Sequence, residues 1–168
     1  MAPRRRLLVA TSIVLLVVAL DVLTKTWAVR ALSDGPLWLV GRSIGFVLSF
    51  NSGSAFSIVQ SGAPVLAVIA LIAAGVLVRS VLRTEDLWLV VGLSLVLAGA
   101  VGNLIDRVFR APSFLHGAVI DFVKVGPWPL FNVADSAISV GAVIIVVRVL
   151  LDGRERPDPA PIPGGGDT

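Results

Sequence analysis

Residues 7–20 read LLVATSIVLLVVAL, and the first charge after them is Asp21. The apolar character continues to about Leu32, which is long enough for a helix to cross the hydrocarbon core of a bilayer. Further apolar stretches lie at residues 63–78, 87–105 and about 130–151. Because a helix satisfies its own backbone hydrogen bonds in lipid, we predict an all-α membrane protein with four transmembrane helices.

The composition of the 168-residue chain agrees with this prediction. Hydrophobic residues make up 56% and charged residues 15%, well below the roughly 25% charge of a typical soluble domain. The chain has no cysteine and a single histidine, His116, which excludes disulfides, cysteine nucleophiles and His-rich zinc sites. The net charge is +3, but the basic residues flank apolar runs, so we expect a membrane and no nucleic acid as partner.

The basic residues also predict an orientation. Arg4, Arg5 and Arg6 precede the first apolar run, and no small-residue cleavage site follows it. We therefore expect an uncleaved first helix with a cytoplasmic N terminus, because Lys and Arg collect on the cytoplasmic side. Four spans return the C terminus to the same side.

The segments outside the helices differ in character. Residues 33–62 form an extracytoplasmic segment, in which IGFVLSFNSGSAFSI at 44–58 is strand-like with a glycine turn. Residues 152–168 are rich in Pro and Gly and are predicted to be a disordered cytoplasmic tail. The helical domain thus covers residues 1–151.

Polar side chains inside a membrane are costly, so they mark functional candidates. Asp21 lies about 21 Å beyond Leu7 on a helix that rises about 1.5 Å per residue. The third helix runs outward and the fourth runs inward, so Asn103 and Asp135 fall at the same outer level. The polar residues expected at this level are Asp21, Asn51, Asn103, Asp106, Arg107, Asp121, Asn132 and Asp135. One shared site explains this convergence better than separate structural roles do.

Structural readings remain open for several of these residues. The i, i+4 spacing of Asp21 and Lys25 also suits a plain ion pair. The asparagines equally suit interhelical hydrogen bonds or helix caps. His116 is interpreted as an interfacial loop residue. Three glycines are expected to allow close helix packing: Gly99, Gly102 and Gly141.

Asp121 and Asp135 are harder to assign to structure alone. Both lie among apolar residues, in VIDF and FNVAD. Two carboxyl groups in one poorly solvated site share a proton, which is the arrangement used in aspartic proteolysis. Paired carboxylates equally suit the lining of a cation or proton path.

The motifs together resemble those of the lipoprotein signal peptidases, also called signal peptidase II. DVLTK at 21–25 is similar to the family's D-x-x-x-K, and NSGSAF at 51–56 to its N-x-G-x-A-F, with Ala55 and Phe56 included. AGAVGNLIDR at 98–107 is similar to G-G-A-x-G-N-x-x-D-R, with Ala98 at a position where the family often has glycine. GAVIDF at 117–122 and FNVAD at 131–135 resemble the two segments that carry the catalytic aspartates.

The resemblance implies an intramembrane aspartic endopeptidase of the bacterial cytoplasmic membrane. Such enzymes remove the signal peptide from a diacylglyceryl-modified prolipoprotein just before its lipidated cysteine. The implied fold is a four-helix membrane domain with an extracytoplasmic β-cradle from the first outer segment. The implied active site lies near the extracytoplasmic face, in contact with membrane lipid.

The resemblance also assigns roles to residues. Asp121 and Asp135 would be catalytic. Substrate would be bound by Asn51, Gly53, Asn103, Arg107 and Asn132, with support from Asp21, Lys25 and Asp106. No cofactor or metal is implied. Globomycin-type inhibitors are expected to bind, and a monomer is the expected state.

Two rival functions stay open from sequence. One is a Ser–Lys peptidase that uses Lys25 as base, although Asp21 is a ready partner for that lysine. The other is an ion or proton carrier. The polar residues lie at one level and form no path across the bilayer, which argues against a carrier.

Overall fold

The computed structural model describes residues 2–53, 62–110 and 114–154, and side chains within these ranges except at 62, 63, 153 and 154. The helices are α1 (Pro3–Ala31), α2 (Gly62–Arg83), α3 (Leu87–Phe109) and α4 (Val133–Arg154). The strands are β1 (Leu37–Val40), β2 (Ile44–Asn51) and β3 (Val119–Val125).

The four predicted apolar helices are confirmed, since all four are long and apolar enough to cross a membrane. Their ends differ in detail from the predictions. Helix α2 begins at Gly62, before Pro64, and runs on to Arg83, five residues beyond the apolar stretch at 63–78, so the turn to α3 is short. That turn ends at Asp86, whose side chain accepts a hydrogen bond from the Leu89 N–H and caps α3. Helix α4 ends at Arg154, and the rest of the predicted tail lies outside the described residues.

The predicted outer strand is present, and it belongs to a larger sheet than expected. Strand β2 covers the first part of the predicted 44–58 segment, and residues 54–58 lie outside the described chain. The sheet has three antiparallel strands in the order β1-β2-β3. Strand β3 comes from the segment between α3 and α4, whose sequence has no strand-like alternation. Its residues Val119 to Phe122 are all buried, so they lack the alternation of apolar and polar residues that marks a half-exposed strand.

The sheet packs against the outer end of α1. Ala28 and Leu32 of the helix form a buried cluster with Ile120 and Phe122 of β3. Trp27 adds an edge-on contact with Phe46, whose ring centroid is 5.3 Å away. This apolar contact fixes β3 above the bundle, close to the ends of α3 and α4.

Helix α3 is the centre of the bundle and packs against α1, α2 and α4. The approach to α4 depends on glycine, as predicted. A Cβ on Gly141 would lie 2.6 Å from the carbonyl oxygen of Gly92, and a Cβ on Gly99 would overlap the carbonyl oxygen of Ala134. Because Ala134 precedes Asp135, the packing at Gly99 also sets the height of that aspartate relative to α3.

The packing at Gly99 can be tested with Gly99→Ala. The added methyl group meets backbone rather than a flexible side chain, so we expect a loss of about 1–3 kcal/mol in unfolding free energy. The matched control is Gly75→Ala in α2, where a Cβ meets nothing within 4 Å. Thermal unfolding in detergent measures both. Equal unfolding temperatures for the two variants would contradict the role of Gly99.

Candidate active site

Asp121 is held by strand β3. Successive side chains of a strand point to opposite faces, so Ile120 and Phe122 enter the core while Asp121 faces the other way. It is 4% exposed. On the neighbouring strand, the Asn51 side chain donates a hydrogen bond from Nδ2 to Asp121 Oδ2 at 3.0 Å. Asn51 pairs with Val119, so this contact is the diagonal one of an antiparallel ladder.

Asp135 is held by the first turn of α4. Asn132 lies just before the helix, and its Oδ1 accepts a hydrogen bond from the Asp135 N–H at 2.9 Å. In return, Asp135 Oδ2 accepts from the Asn132 N–H at 3.2 Å. This reciprocal pair is a capping box, which satisfies two N–H groups that a helix start leaves without partners.

The side chain of Asn132 also reaches the first aspartate. Its Nδ2 donates to Asp121 Oδ1 at 2.8 Å, and the residue is fully buried. The same nitrogen lies 3.3 Å from Asn103 Oδ1. Asn103 in turn donates from Nδ2 to Asp135 Oδ1 at 2.8 Å. Two side-chain amides therefore connect the two carboxyl groups across β3, α3 and α4.

A buried lysine supports these amides from below. Lys25 is 0% exposed and forms ion pairs with Asp21 at 2.7 Å and Asp106 at 2.8 Å. Its third contact is a hydrogen bond to Asn103 Oδ1 at 3.1 Å. An ammonium group has three donors, so these contacts use all of them. The bond to Asn103 also fixes which end of that amide faces Asp135.

The two acids beside Lys25 have second roles. Asp21 Oδ1 accepts from the Ala134 N–H at 2.9 Å and so adds a cap to α4. Gly102 makes room for this carboxylate, because a Cβ there would lie 2.7 Å from Asp21 Oδ2. Asp106 accepts from the Ile120 N–H at 3.3 Å and ties α3 to β3.

Two arginines lie at the outer end of α3. Arg107 donates from Nη1 to the backbone oxygen of Asn103 at 3.2 Å, and its charge acts on Asp106, Asp135 and Asp121. Arg110 forms an ion pair with Asp106. Sequence reasoning missed Arg110, although its i, i+4 spacing from Asp106 was the available signal.

Gly53 sets the position of Asn51. Its N–H donates to Asn51 Oδ1 at 2.9 Å, and its φ of +80° is one that residues with a Cβ rarely adopt. This turn directs the Asn51 amino group towards Asp121. The predicted motif residues Ala55 and Phe56 lie outside the described residues.

The surroundings of Asp121 change its acidity. Burial raises the pKa of this carboxyl group above its ordinary value, and the charge of Asp135 adds to the rise. The hydrogen bonds from Asn51 and Asn132 oppose it without cancelling it. Asp121 therefore keeps a proton to higher pH than a solvated aspartate does.

An apolar cleft of about 580 Å³ opens beside Asp135. The loop from Val125 to Phe131 forms one wall, and the outer turns of α4 form the other. Phe131 is anchored by a β-bridge to Val123, which keeps the loop against the sheet. The cleft offers an extended apolar surface with a carboxyl group at its edge, which suits a largely apolar substrate.

The structure brings every predicted site residue into this one network. His116 lies apart, with Nδ1 3.0 Å from the backbone oxygen of Phe114 in an exposed loop. The arrangement offers two carboxyl groups, one of which keeps a proton to higher pH than a solvated aspartate does, beside an apolar cleft at the ends of membrane-spanning helices. Two carboxyl groups of this kind can serve as acid and base in a hydrolysis, and the apolar cleft suits a substrate drawn from lipid.

Comparisons with known proteins agree with this geometry. The family model described as signal peptidase (SPase) II matches residues 13–151. A lipoprotein signal peptidase of Mycolicibacterium smegmatis is 40% identical, over 99% of this chain and 74% of the relative. A lipoprotein signal peptidase of Mycobacterium avium is 45% identical, over 86% and 80%. One of Rhodococcus jostii is 46% identical, over 80% and 69%.

Two solved structures, each described as a bacterial membrane enzyme, share the fold. One superposes with a TM-score of 0.76 at 29% identity and covers 85% of this chain and 93% of its own. The other superposes with a TM-score of 0.75 at 26% identity and covers 90% and 94%. This multi-pass membrane chain therefore belongs to the signal peptidase II family of bacterial proteases, which remove signal peptides from prolipoproteins.

Proposed function

We propose that the chain is an aspartic endopeptidase that works within the membrane on diacylglyceryl-modified prolipoproteins and cleaves just before the lipidated cysteine. The observation that carries this proposal is the pair of carboxyl groups joined by Asn132 and Asn103. The pair, of which Asp121 is buried and Asp135 half-buried, lies next to an apolar cleft. The chain's membership of a protease family supplies the reaction class.

Asp135 is the proposed general base. It sits in the first turn of α4, beside the positive end of the helix dipole, and its Oδ2 accepts a hydrogen bond from the Asn132 N–H. The positive charge of Arg107 acts on it as well. Asp135 takes a proton from the attacking water, and the oxygen of that water bonds to the carbonyl carbon of the scissile peptide.

Asp121 is the proposed general acid. Its raised pKa keeps the shared proton on this carboxyl group, so it can donate that proton to the carbonyl oxygen as the tetrahedral intermediate forms. The proton held by Asp135 then passes to the leaving nitrogen as the C–N bond breaks, and one hydroxyl group of the intermediate returns a proton to Asp121. The products are the free carboxyl end of the signal peptide and the free amino group of the lipidated cysteine.

The remaining polar groups are proposed to hold the substrate. The residues proposed for contacts with the peptide backbone or the glyceryl oxygens are Asn51 of β2, Gly53 just after it and Arg107 of α3. Asn103 and Asn132 keep the acids in place while water is excluded. Asp21, Lys25 and Asp106 form the buried support of this arrangement.

The proposed setting is the bacterial cytoplasmic membrane, with both termini in the cytoplasm and the acids near the extracytoplasmic face. The cluster Arg4 to Arg6 before α1 supports this orientation. Membrane lipid is in contact with the chain, and globomycin-type inhibitors are proposed to occupy the same cleft. The functional unit is proposed to be a monomer of one four-helix domain over residues 1–151.

The two rival functions fit the contacts less well. Lys25 is bound by two carboxylates, and an ammonium ion held in this way is a poor base. A carrier needs polar groups along its whole path. Within residues 2–53, 62–110 and 114–154, the buried polar side chains lie at the level of the two acids, with Ser94 as the exception.

Asp121→Asn and Asp135→Asn test the proposed chemistry. Each replacement removes a proton donor or acceptor while keeping the shape, so we expect cleavage to slow by about 10²–10⁴-fold. The measurement is the processing of a diacylglyceryl-modified precursor by the purified variant in liposomes. Asp34→Asn, at an exposed loop aspartate, is the matched control and should process normally. We call Asp121 and Asp135 the dyad. Near-normal cleavage by either dyad variant would remove that residue from the mechanism.

Lys25→Met separates a supporting lysine from a catalytic one. Loss of the ammonium group leaves buried Asp21 without its cation and Asp106 with Arg110 alone, so we expect a loss of about 3–5 kcal/mol in stability. Adding Asp21→Asn removes one of those charges and should restore part of both stability and activity. Thermal unfolding and precursor processing measure the two effects. Cleavage by the stable double variant would exclude the Ser–Lys reaction, whereas unchanged stability in Lys25→Met would contradict the supporting role.

A further inference from the structure

The side of α4 that faces away from α3 carries a groove that begins at Asp135. The 580 Å³ cleft reaches from Asp135 down to Val140. A second cleft of about 350 Å³ lies further along the same helix and is bounded by Trp88 of α3. We name this surface the α4 groove, after the α4 residues on its floor: Ser136, Val140, Val143, Val147 and Leu151. Their spacing of three or four residues places them on one helix face.

The α4 groove is apolar despite its two serines. Ser136 donates its hydroxyl to the Asn132 backbone oxygen, and Ser139 donates to the Asp135 backbone oxygen. These bonds leave mainly carbon atoms on the surface. Val143 is 62% exposed and Val147 is 49% exposed. The part of the chain that the structure describes therefore leaves this face open to an apolar partner.

The length of the groove decides between two partners. Leu151 lies about 24 Å from Asp135 along a helix that rises about 1.5 Å per residue. An acyl chain attached to the substrate's cysteine starts at the outer surface and reaches only about half of the roughly 30 Å hydrocarbon core. The groove continues past that depth to the opposite end of the bundle. A transmembrane helix has the length to occupy it.

A third apolar cavity lies too far from the acids to serve as a substrate site. It has about 220 Å³ and lies between α1 and α2, against residues such as Leu7 and Val81. These residues are near the helix ends opposite the dyad, so a substrate bound there would not reach the acids. The α4 groove is continuous with Asp135 itself.

We propose that the α4 groove binds the apolar segment of the precursor's signal peptide as a helix alongside α4, and so delivers the scissile bond to the dyad. This proposal rests on the proposed function. It assigns a docking surface to the signal peptide, whereas the diacylglyceryl group is left to the outer-leaflet side of the site.

Disulfide cross-linking tests the proposal, because the chain has no cysteine of its own. Val147→Cys lies in the groove, whereas Val149→Cys is similarly exposed, at 57% in the native chain, and points to roughly the opposite side of α4. Each is combined with Asp121→Asn in the full chain in liposomes, to halt cleavage. The precursor carries one added cysteine in the middle of its signal peptide, and its lipidated cysteine has no free thiol.

We expect the Val147→Cys chain to cross-link to the precursor several-fold more than the Val149→Cys chain. Equal cross-linking, or none from either position, would overturn the proposal. A parallel processing reaction with the unsubstituted chain distinguishes failure of the groove proposal from failure of the proposed function. Processing of the same precursor without groove-specific cross-linking overturns the groove alone, whereas a precursor left uncleaved overturns the proposed function and the groove with it.

A kinetic measurement tests the same groove without a cross-link. Val143→Trp fills the groove away from the acids, so we expect a higher KM with little change in kcat. Val149→Trp is the matched control and should leave both unchanged. An unchanged KM in Val143→Trp would mean that membrane lipid alone occupies this face.

Discussion

The site depends on the side chain of Asn132. Its oxygen caps α4 at the Asp135 N–H, while its nitrogen donates to Asp121. One amide thus fixes the start of the helix that carries one acid and the orientation of the other acid. Full burial strengthens these bonds, because no water competes for them. The distance between the two carboxyl groups is therefore set by a single rigid group rather than by two independent loops.

The buried charges below the amides give the site its rigidity. Lys25 of α1 contacts Asp106 and Asn103 of α3. Asp21 of α1 contacts the backbone of α4 at Ala134. An ion cluster in lipid is stable only when every member is paired. Movement of one helix would separate an ion pair and leave a buried charge without a partner, which costs free energy. The same contacts that hold the bundle together therefore hold the reacting groups. The α4 groove lies outside this cluster, which leaves a substrate free to enter without breaking it.

Much of the fold could be predicted from sequence, because runs without charge have one stable form in lipid. The common depth of the polar residues in the membrane could be predicted from the rise per residue of a helix and from the opposite directions of successive helices. Strand β3 was missed, since burial of both its faces removes the pattern of alternation. Arg110 was missed because an i, i+4 acid–base pair at a helix end is common. The orientation of the side-chain amides of Asn103 and Asn132 could not be predicted, because it depends on contacts between elements far apart in sequence.

The most direct test of the central claim is a carboxyl ¹³C NMR titration of Asp121 in the purified chain. If Asp121 holds a proton shared with Asp135, its carboxyl group will titrate at a higher pH than a solvated aspartate. Asp135→Asn removes the neighbouring negative charge, so the midpoint for Asp121 should then fall. A midpoint at the ordinary value of an aspartate, unchanged by Asp135→Asn, would contradict the shared-proton dyad.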